Sequence, residues 1–413
     1  MRNGLFFGLL ALAFVSPAGA ASSHGGFSKA EVLSVEPLFK SYDLIGLAEV
    51  DSRGKPTSMT LAVEINAPRE VIFEIFKDPK NYYYLSTLFK ENRLLESHDN
   101  TLAYSWASRH KFFSFTGENV VSLFPPRRID IKIAKSTIGN GNFHFNLYKR
   151  GKNKTLLVFH GHLNVTSSDW LIRFLVGNSP SMEQAFNLAI GVVVVKGTKS
   201  LAERMFRGKK TTKHRTRGKR EGGLVSLSGN DVKRIKPLLR RGTVILSSSV
   251  RGGKLKQVVT IEELDVPRIA LLKAIASPNL YPKMVGSISK VVVHNKKAAQ
   301  TEFSWNLGFS VFGLKSRNRL TISPKGVDIV GLDGDLKGAQ WRWQLVPSAN
   351  NKTIVAYHGW ADVKGTAEVM AKTVKREPYL EHGIMAGSNM VMLRAIRRSV
   401  EKATTRKTKL AQK

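Results

Sequence analysis

The side chains best suited to chemistry are two histidines, His160 and His162, flanking a glycine in the stretch 152–165, KNKTLLVFHGHLNV. Alternate residues of a strand share a face, so two imidazoles at this spacing suit a metal ion. The same stretch returns at 350–363 as NNKTIVAYHGWADV, where His358 repeats His160 but Trp360 replaces His162. With one imidazole common to both copies and no cysteine in the chain, no metal site is expected. A repeated histidine among apolar neighbours is better suited to hydrogen-bonding the polar end of a bound molecule. The carboxylates Asp130, Asp328 and Asp335 have the chemistry for acid–base work, but nothing in the sequence pairs them. No glycine-rich phosphate loop, G-x-S-x-G elbow or H-E-x-x-H motif occurs. Neither enzymatic activity nor a cofactor is expected.

The repeat sets the organisation. Six of the fourteen positions are identical, among them His160/His358 and Gly161/Gly359, at a spacing of 198 residues. Such a period means a duplicated domain, not a solenoid, and 413 residues hold two domains of ordinary size. Each copy opens with a capping signal, Ser28 with Glu31 and Ser228 with Asp231. An apolar helical face follows: Val32, Val35, Leu38 and Phe39, then Val232, Ile235, Leu238 and Leu239. Two strands are expected next, 42–50 and 58–65, with 243–250 and 256–261 in the second copy. Pro68 and Pro267 then open short helices that Asp78-Pro79 and Ser277-Pro278 end. Residues 93–165 and their repeat read as successive strands, hence an antiparallel sheet of hairpins. Each copy closes with a long helix, 181–205 and 379–403, about 36 Å in length.

Between the copies, residues 207–220 read RGKKTTKHRTRGKR, eight of fourteen being Lys or Arg. Like charges at this density resist packing, so 207–223 is expected to be a disordered basic linker, and 404–413 a smaller version of it. Lys209, Lys210, Lys213, Arg215, Arg217, Lys219 and Arg220 are expected to meet an anionic membrane surface or lipopolysaccharide, each contributing on the order of 1 kcal/mol. The formal net charge of +34 points the same way. At the start, Arg2, the apolar run 5–15 and Ala18-Gly19-Ala20 form an export signal with cleavage expected after Ala20. The mature chain is then periplasmic or secreted, which argues against nucleic acid as a partner. No other window reads as a membrane span.

One segment carries a resemblance. Val63-Glu-Ile-Asn-Ala-Pro68, then Val71, Phe73, Asp78-Pro79 and Tyr82, looks like the N-terminal signature of the START-like superfamily, in its polyketide-cyclase and coenzyme-Q-binding branch. Tyr281-Pro282 supplies the family's "YP" pair in the second copy. The resemblance implies an α+β chain of two tandem helix-grip domains, 21–206 and 224–403. In each, a curved antiparallel sheet wraps the long C-terminal helix around an apolar ligand cavity. The first helix of each copy lies outside the family's minimal domain.

The expected cavity residues are Phe73, Tyr82, Trp106, His160, Trp170, Phe174 and Phe186 in the first copy. In the second they are Tyr281, Trp305, Trp341, Trp343, His358 and Trp360. The segment 170–176, WLIRFLV, is apolar only in the first copy, as suits a lid or a membrane contact. The expected function is the binding of a lipid-, sterol- or quinone-like molecule, with its carriage between membranes as the further expectation. The alternatives are a cyclase or aromatase, and an envelope protein that binds anionic polymer without transport.

Overall fold

The computed structural model describes residues 26–51, 55–86, 89–109, 114–176, 179–209, 220, 222–309, 312–362, 372, 374, 375, 377 and 379–411. The export signal and positions 210–219 of the linker lie outside them.

The Ser28 side chain accepts from the Glu31 N–H while the Glu31 carboxylate accepts from the Ser28 N–H, opening α1 (Lys29–Val35). Pro37 then turns the chain into the 3₁₀ segment Glu36–Lys40. After it come β1 (Leu44–Val50), β2 (Pro56–Ile65), α2 (Arg69–Lys77) and α3 (Tyr82–Leu85). Six strands follow: β3 (Glu91–His98), β4 (Thr101–Arg109), β5 (Ser114–Phe124), β6 (Arg128–Ser136), β7 (Asn140–Gly151) and β8 (Lys154–Asn164). The half closes with α4 (Trp170–Val176) and α5 (Pro180–Phe206).

The second half repeats this order. It has α6 (Gly229–Leu239), β9 (Gly242–Ser249), β10 (Leu255–Leu264), α7 (Arg268–Ile275) and α8 (Tyr281–Met284). Then come β11 (Ile288–Lys296), β12 (Gln300–Phe309), β13 (Phe312–Ser323), β14 (Gly326–Gly334), β15 (Gln340–Pro347) and β16 (Thr353–Trp360). The last helix, α9 (Leu380–Ala411), runs through the tail expected to be disordered.

Among the described residues the strands form one antiparallel sheet of sixteen, in the order β11-β12-β13-β14-β15-β16-β10-β9-β1-β2-β8-β7-β6-β5-β4-β3. Read outward from its middle, the order is the same in both directions. At the middle, β1 pairs with β9, Ile45 opposite Leu246 and Gly46 opposite Ile245. Each half thereby covers the strand edge that the other would expose.

Alternation along the strands divides the core into two layers. On the inner face, Leu61, Leu157, Phe159, Val258, Val355 and Tyr357 join residues of α5 and α9. On the outer face, Leu47, Leu156, Val158, Val244, Ile354 and Ala356 pack beneath α1 and α6. The helices outside the minimal domain thus roof the seam between the halves. Among the described residues α5 is, by length and composition, apolar enough to cross a membrane, contrary to expectation; most of that stretch is buried in the protein core.

The long helices pack on each other. A Cβ on Gly383 would stand 2.7 Å from Ala189 Cα, and one on Gly387 would stand 3.0 Å from Ala185 Cβ. Small residues on both sides therefore permit this close approach.

Candidate ligand-binding interior

In the first half, the Pro68-led helix α2 buries Ile72, Phe73, Ile75 and Phe76. The Tyr82 hydroxyl donates to the Phe76 carbonyl at 2.6 Å, pinning α3 to the last turn of α2. Aromatic rings continue the wall: Phe76 to Phe145 at 4.8 Å, Phe145 to Phe159 at 5.0 Å and Tyr82 to Tyr104 at 4.7 Å between centroids. Phe186 packs against this cluster from α5. Trp106 lies over Gly117, where a Cβ would come within 2.6 Å of the indole. Its Nε1 donates to Asn119 Oδ1 at 3.3 Å, and Asn119 Nδ2 donates to the Tyr104 hydroxyl at 2.8 Å. Burial holds the Tyr104 phenol well above its ordinary pKa, so it stays protonated.

The second half builds the same wall from different rings. The Tyr281 hydroxyl donates to the Ile275 carbonyl at 2.5 Å, repeating the Tyr82 pin. Trp305 lies 5.5 Å from Phe303, 5.8 Å from Trp341 and 6.2 Å from Tyr281, and Trp343 stacks on Tyr357 at 3.9 Å. Trp305 Nε1 is buried with no acceptor among the described residues.

The repeated histidines are not in this interior. Phe159 and Tyr357 face inward, so the next residues, His160 and His358, face outward. His160 Nδ1 is 3.0 Å from Thr60 Oγ1. His358 is fully buried beneath 224–227, and its Nε2 donates to Gln344 Oε1 at 3.1 Å. That glutamine also exchanges both backbone hydrogen bonds of Leu227, as Gln257 does those of Val225. Burial first, then the Arg342 charge, push the His358 pKa down to about 3. It is therefore a neutral prop for the incoming chain. His162 lies 3.6 Å from Glu183; burial lowers its pKa although Glu183 works the other way. The repeated aspartates are paired too, Asp130 with His144 at 2.8 Å and Asp328 with Arg342 at 2.6 Å.

Phe73, Tyr82, Trp106, Tyr281, Trp305, Trp341 and Trp343 thus belong to the inner layer, and the half-buried Phe186 and Trp360 pack against it. Trp170 is 70% exposed on α4, away from it. The Phe174 side chain lies outside the described residues. Trp360 ends β16 with the Arg220 guanidinium 4.2 Å over its ring. Arg220 also donates to the Lys256 carbonyl and to Gln340, so this linker cation is docked on the protein. Lys209 is exposed, whereas Lys210, Lys213, Arg215, Arg217 and Lys219 lie outside the described residues. Asn119 and Tyr104 escaped the sequence reading. Asn119 recurs as Asn318, which was the available signal.

No family model matches the chain, and no curated protein matches it. Similar solved structures include the di-domain aromatase/cyclase StfQ of the steffimycin biosynthetic pathway. It is 10% identical, covers 84% of this chain and 99% of its own, and has a TM-score of 0.30. The Zhui aromatase/cyclase of Streptomyces sp. R1128 is 16% identical over 38% of this chain and 98% of its own, with a TM-score of 0.32. The STAR-related lipid transfer protein of Xanthomonas axonopodis is 12% identical over 38% of this chain and 93% of its own, with a TM-score of 0.31. At these values the likenesses carry no argument; the helix-grip assignment rests on the strand order and the two closing helices.

Proposed function

We propose that the protein is an exported binding protein for an apolar, lipid-like molecule held between sheet and closing helix. The observation that carries this is the repeated aromatic inner wall, with the buried Trp305 N–H facing no acceptor among the described residues. An apolar lining with few polar groups is the usual make-up of a small-molecule site. Binding is favoured over catalysis because the Tyr82 and Tyr281 hydroxyls are spent on backbone carbonyls. Carriage between membranes follows from the net charge of +34, which draws the protein to anionic surfaces, and from the exposed Trp170, a side chain that partitions into the headgroup region. Native mass spectrometry of the purified protein, with organic extraction and identification of what is released, tests the reading. A stoichiometric apolar molecule is the expected result; a chain that carries none and takes up none from lipid vesicles overturns it.

A further inference from the structure

The two inner walls differ at three positions that meet around one tryptophan. In the first half, Gly117 leaves room for the Trp106 indole, and the Asn119 amide takes its N–H and passes a hydrogen bond to Tyr104. In the second half, Ser316 replaces that glycine and Phe303 replaces that tyrosine, while the asparagine is kept as Asn318. The Ser316 hydroxyl donates to Asn318 Oδ1 at 2.9 Å, and Asn318 Nδ2 donates to the Ser316 carbonyl at 3.2 Å. The serine hydroxyl takes one lone pair of the acceptor that the matching tryptophan uses, and a Cβ at the matching position of the first half would stand 2.6 Å from that tryptophan's ring. Trp305, only 3% exposed, keeps its place among Phe303, Trp341 and Tyr281 with its N–H unpaired among the described residues.

A buried donor without an acceptor is costly, and native proteins seldom keep one without a use. The serine and the phenylalanine act together to release it, while the first half spends the same group internally. We propose that Trp305 Nε1 is the hydrogen-bond donor to a carbonyl oxygen of an apolar ligand held in the second half. The halves then divide the work: the second binds an oxygen-bearing apolar molecule, and the first has its indole closed off. The proposal rests on the reading of the interior as an apolar ligand site.

A matched pair of rigid probes tests it on the full chain. Fluorene and 9-fluorenone share a shape and differ in one carbonyl oxygen. Equilibrium dialysis should show fluorenone bound more tightly, by roughly five- to tenfold for one buried hydrogen bond. The indole N–H resonance of Trp305 should shift with fluorenone alone. Trp305→Phe should bring the two affinities together. The double variant Phe303→Tyr with Ser316→Gly keeps the tryptophan but gives its N–H to Asn318; it should close the gap as well, which guards against a Trp305→Phe chain that fails to fold. Equal affinities in the natural protein, or a preference that survives in Trp305→Phe, overturn the proposal and leave the apolar site standing. Failure of both probes to bind overturns the apolar site and the proposal with it.

Discussion

The Ser34 hydroxyl donates a 2.7 Å hydrogen bond to the backbone carbonyl of Arg234, its own counterpart one repeat later. A residue meets its own repeat only on a twofold axis. The same axis runs between Ile45 and Gly46 in the β1–β9 seam and through the contacts of Ala185 with Gly387 and Ala189 with Gly383. The chain is therefore built like a twofold dimer whose subunits have been joined end to end.

The charges on the axis are not symmetric. Lys196, 3% exposed, bonds both carboxylate oxygens of Asp43 at 3.0 Å and Ser249 Oγ of the other half at 3.2 Å. Its counterpart Arg394 meets Glu262 at 3.2 Å, Thr243 at 2.8 Å and Gln184. Lys196→Met removes one member of a pair whose carboxylate is partly open to solvent. The expected loss is about 2–3 kcal/mol, below the full range for a wholly buried pair. Urea unfolding measures it, and a loss under about 0.5 kcal/mol, the level of an ordinary surface change, would show that the bridge does not stabilise the fold.

The helix crossing makes an opposite demand on Gly383. In an isolated helix, Gly383→Ala would stabilise by about 1 kcal/mol. Here the added methyl meets Ala189 at its Cα, so the helices must part, and a net loss of about 1–2 kcal/mol is expected. A raised melting temperature for this variant would refute the close crossing.

His358 gives the protein an acid sensitivity. Unfolded, the imidazole takes a proton near its ordinary 6.5; folded, only near about 3. Between those values the unfolded state binds more protons, so this group leaves stability intact above about pH 6.5. Stability is lost as pH falls toward 3, by up to about 1.4 kcal/mol per pH unit. His358→Gln keeps a donor for Gln344 and removes the titration. Melting temperatures from pH 7 to pH 4 should fall less steeply in the variant, and parallel curves would contradict the assignment.

Gly117 is the first half's key to its closed network. Gly117→Ser places a Cβ within 2.6 Å of the Trp106 indole and should expel the ring from its bond to Asn119. A destabilisation of about 1–3 kcal/mol is expected for overpacking, together with a shift of the Trp106 indole resonance. An unmoved resonance would mean that serine and glycine are interchangeable there, and would remove the contrast between the halves.

The exposed Trp170 and Arg173 of α4 have a direct readout. Trp170→Ser should weaken binding to vesicles of anionic phosphatidylglycerol at least about threefold, and the weaker association with neutral phosphatidylcholine by a similar factor, because the indole partitions into either headgroup region, as read by sedimentation. Equal binding of both variants to anionic vesicles would assign that association to charge alone.

Local chemistry made much of this protein legible in its sequence. The capping residues Ser28 and Ser228, the helix-opening Pro68 and Pro267, and strands of period two gave the elements and their order. The repeat gave two copies of one architecture. Tyr82 and Tyr281 were recognisable as a pair, but their use in pinning helix ends appeared only with the Phe76 and Ile275 carbonyls beside them. The histidines were misplaced by one step of the strand alternation: the aromatic neighbours Phe159 and Tyr357 take the inner side, and a side chain one residue on must take the other.

What the tertiary structure alone decided are relations between residues far apart in the chain. The joining of two sheets through β1 and β9 depends on strand edges about two hundred residues apart finding each other, and edge pairing leaves no mark in local periodicity. The release of the Trp305 N–H depends on Ser316 and Phe303, unremarkable residues until the hairpin of β12 and β13 brings serine and tryptophan face to face. A sequence specifies such meetings only through the fold, because whether a donor is free is a property of its neighbours and not of the donor.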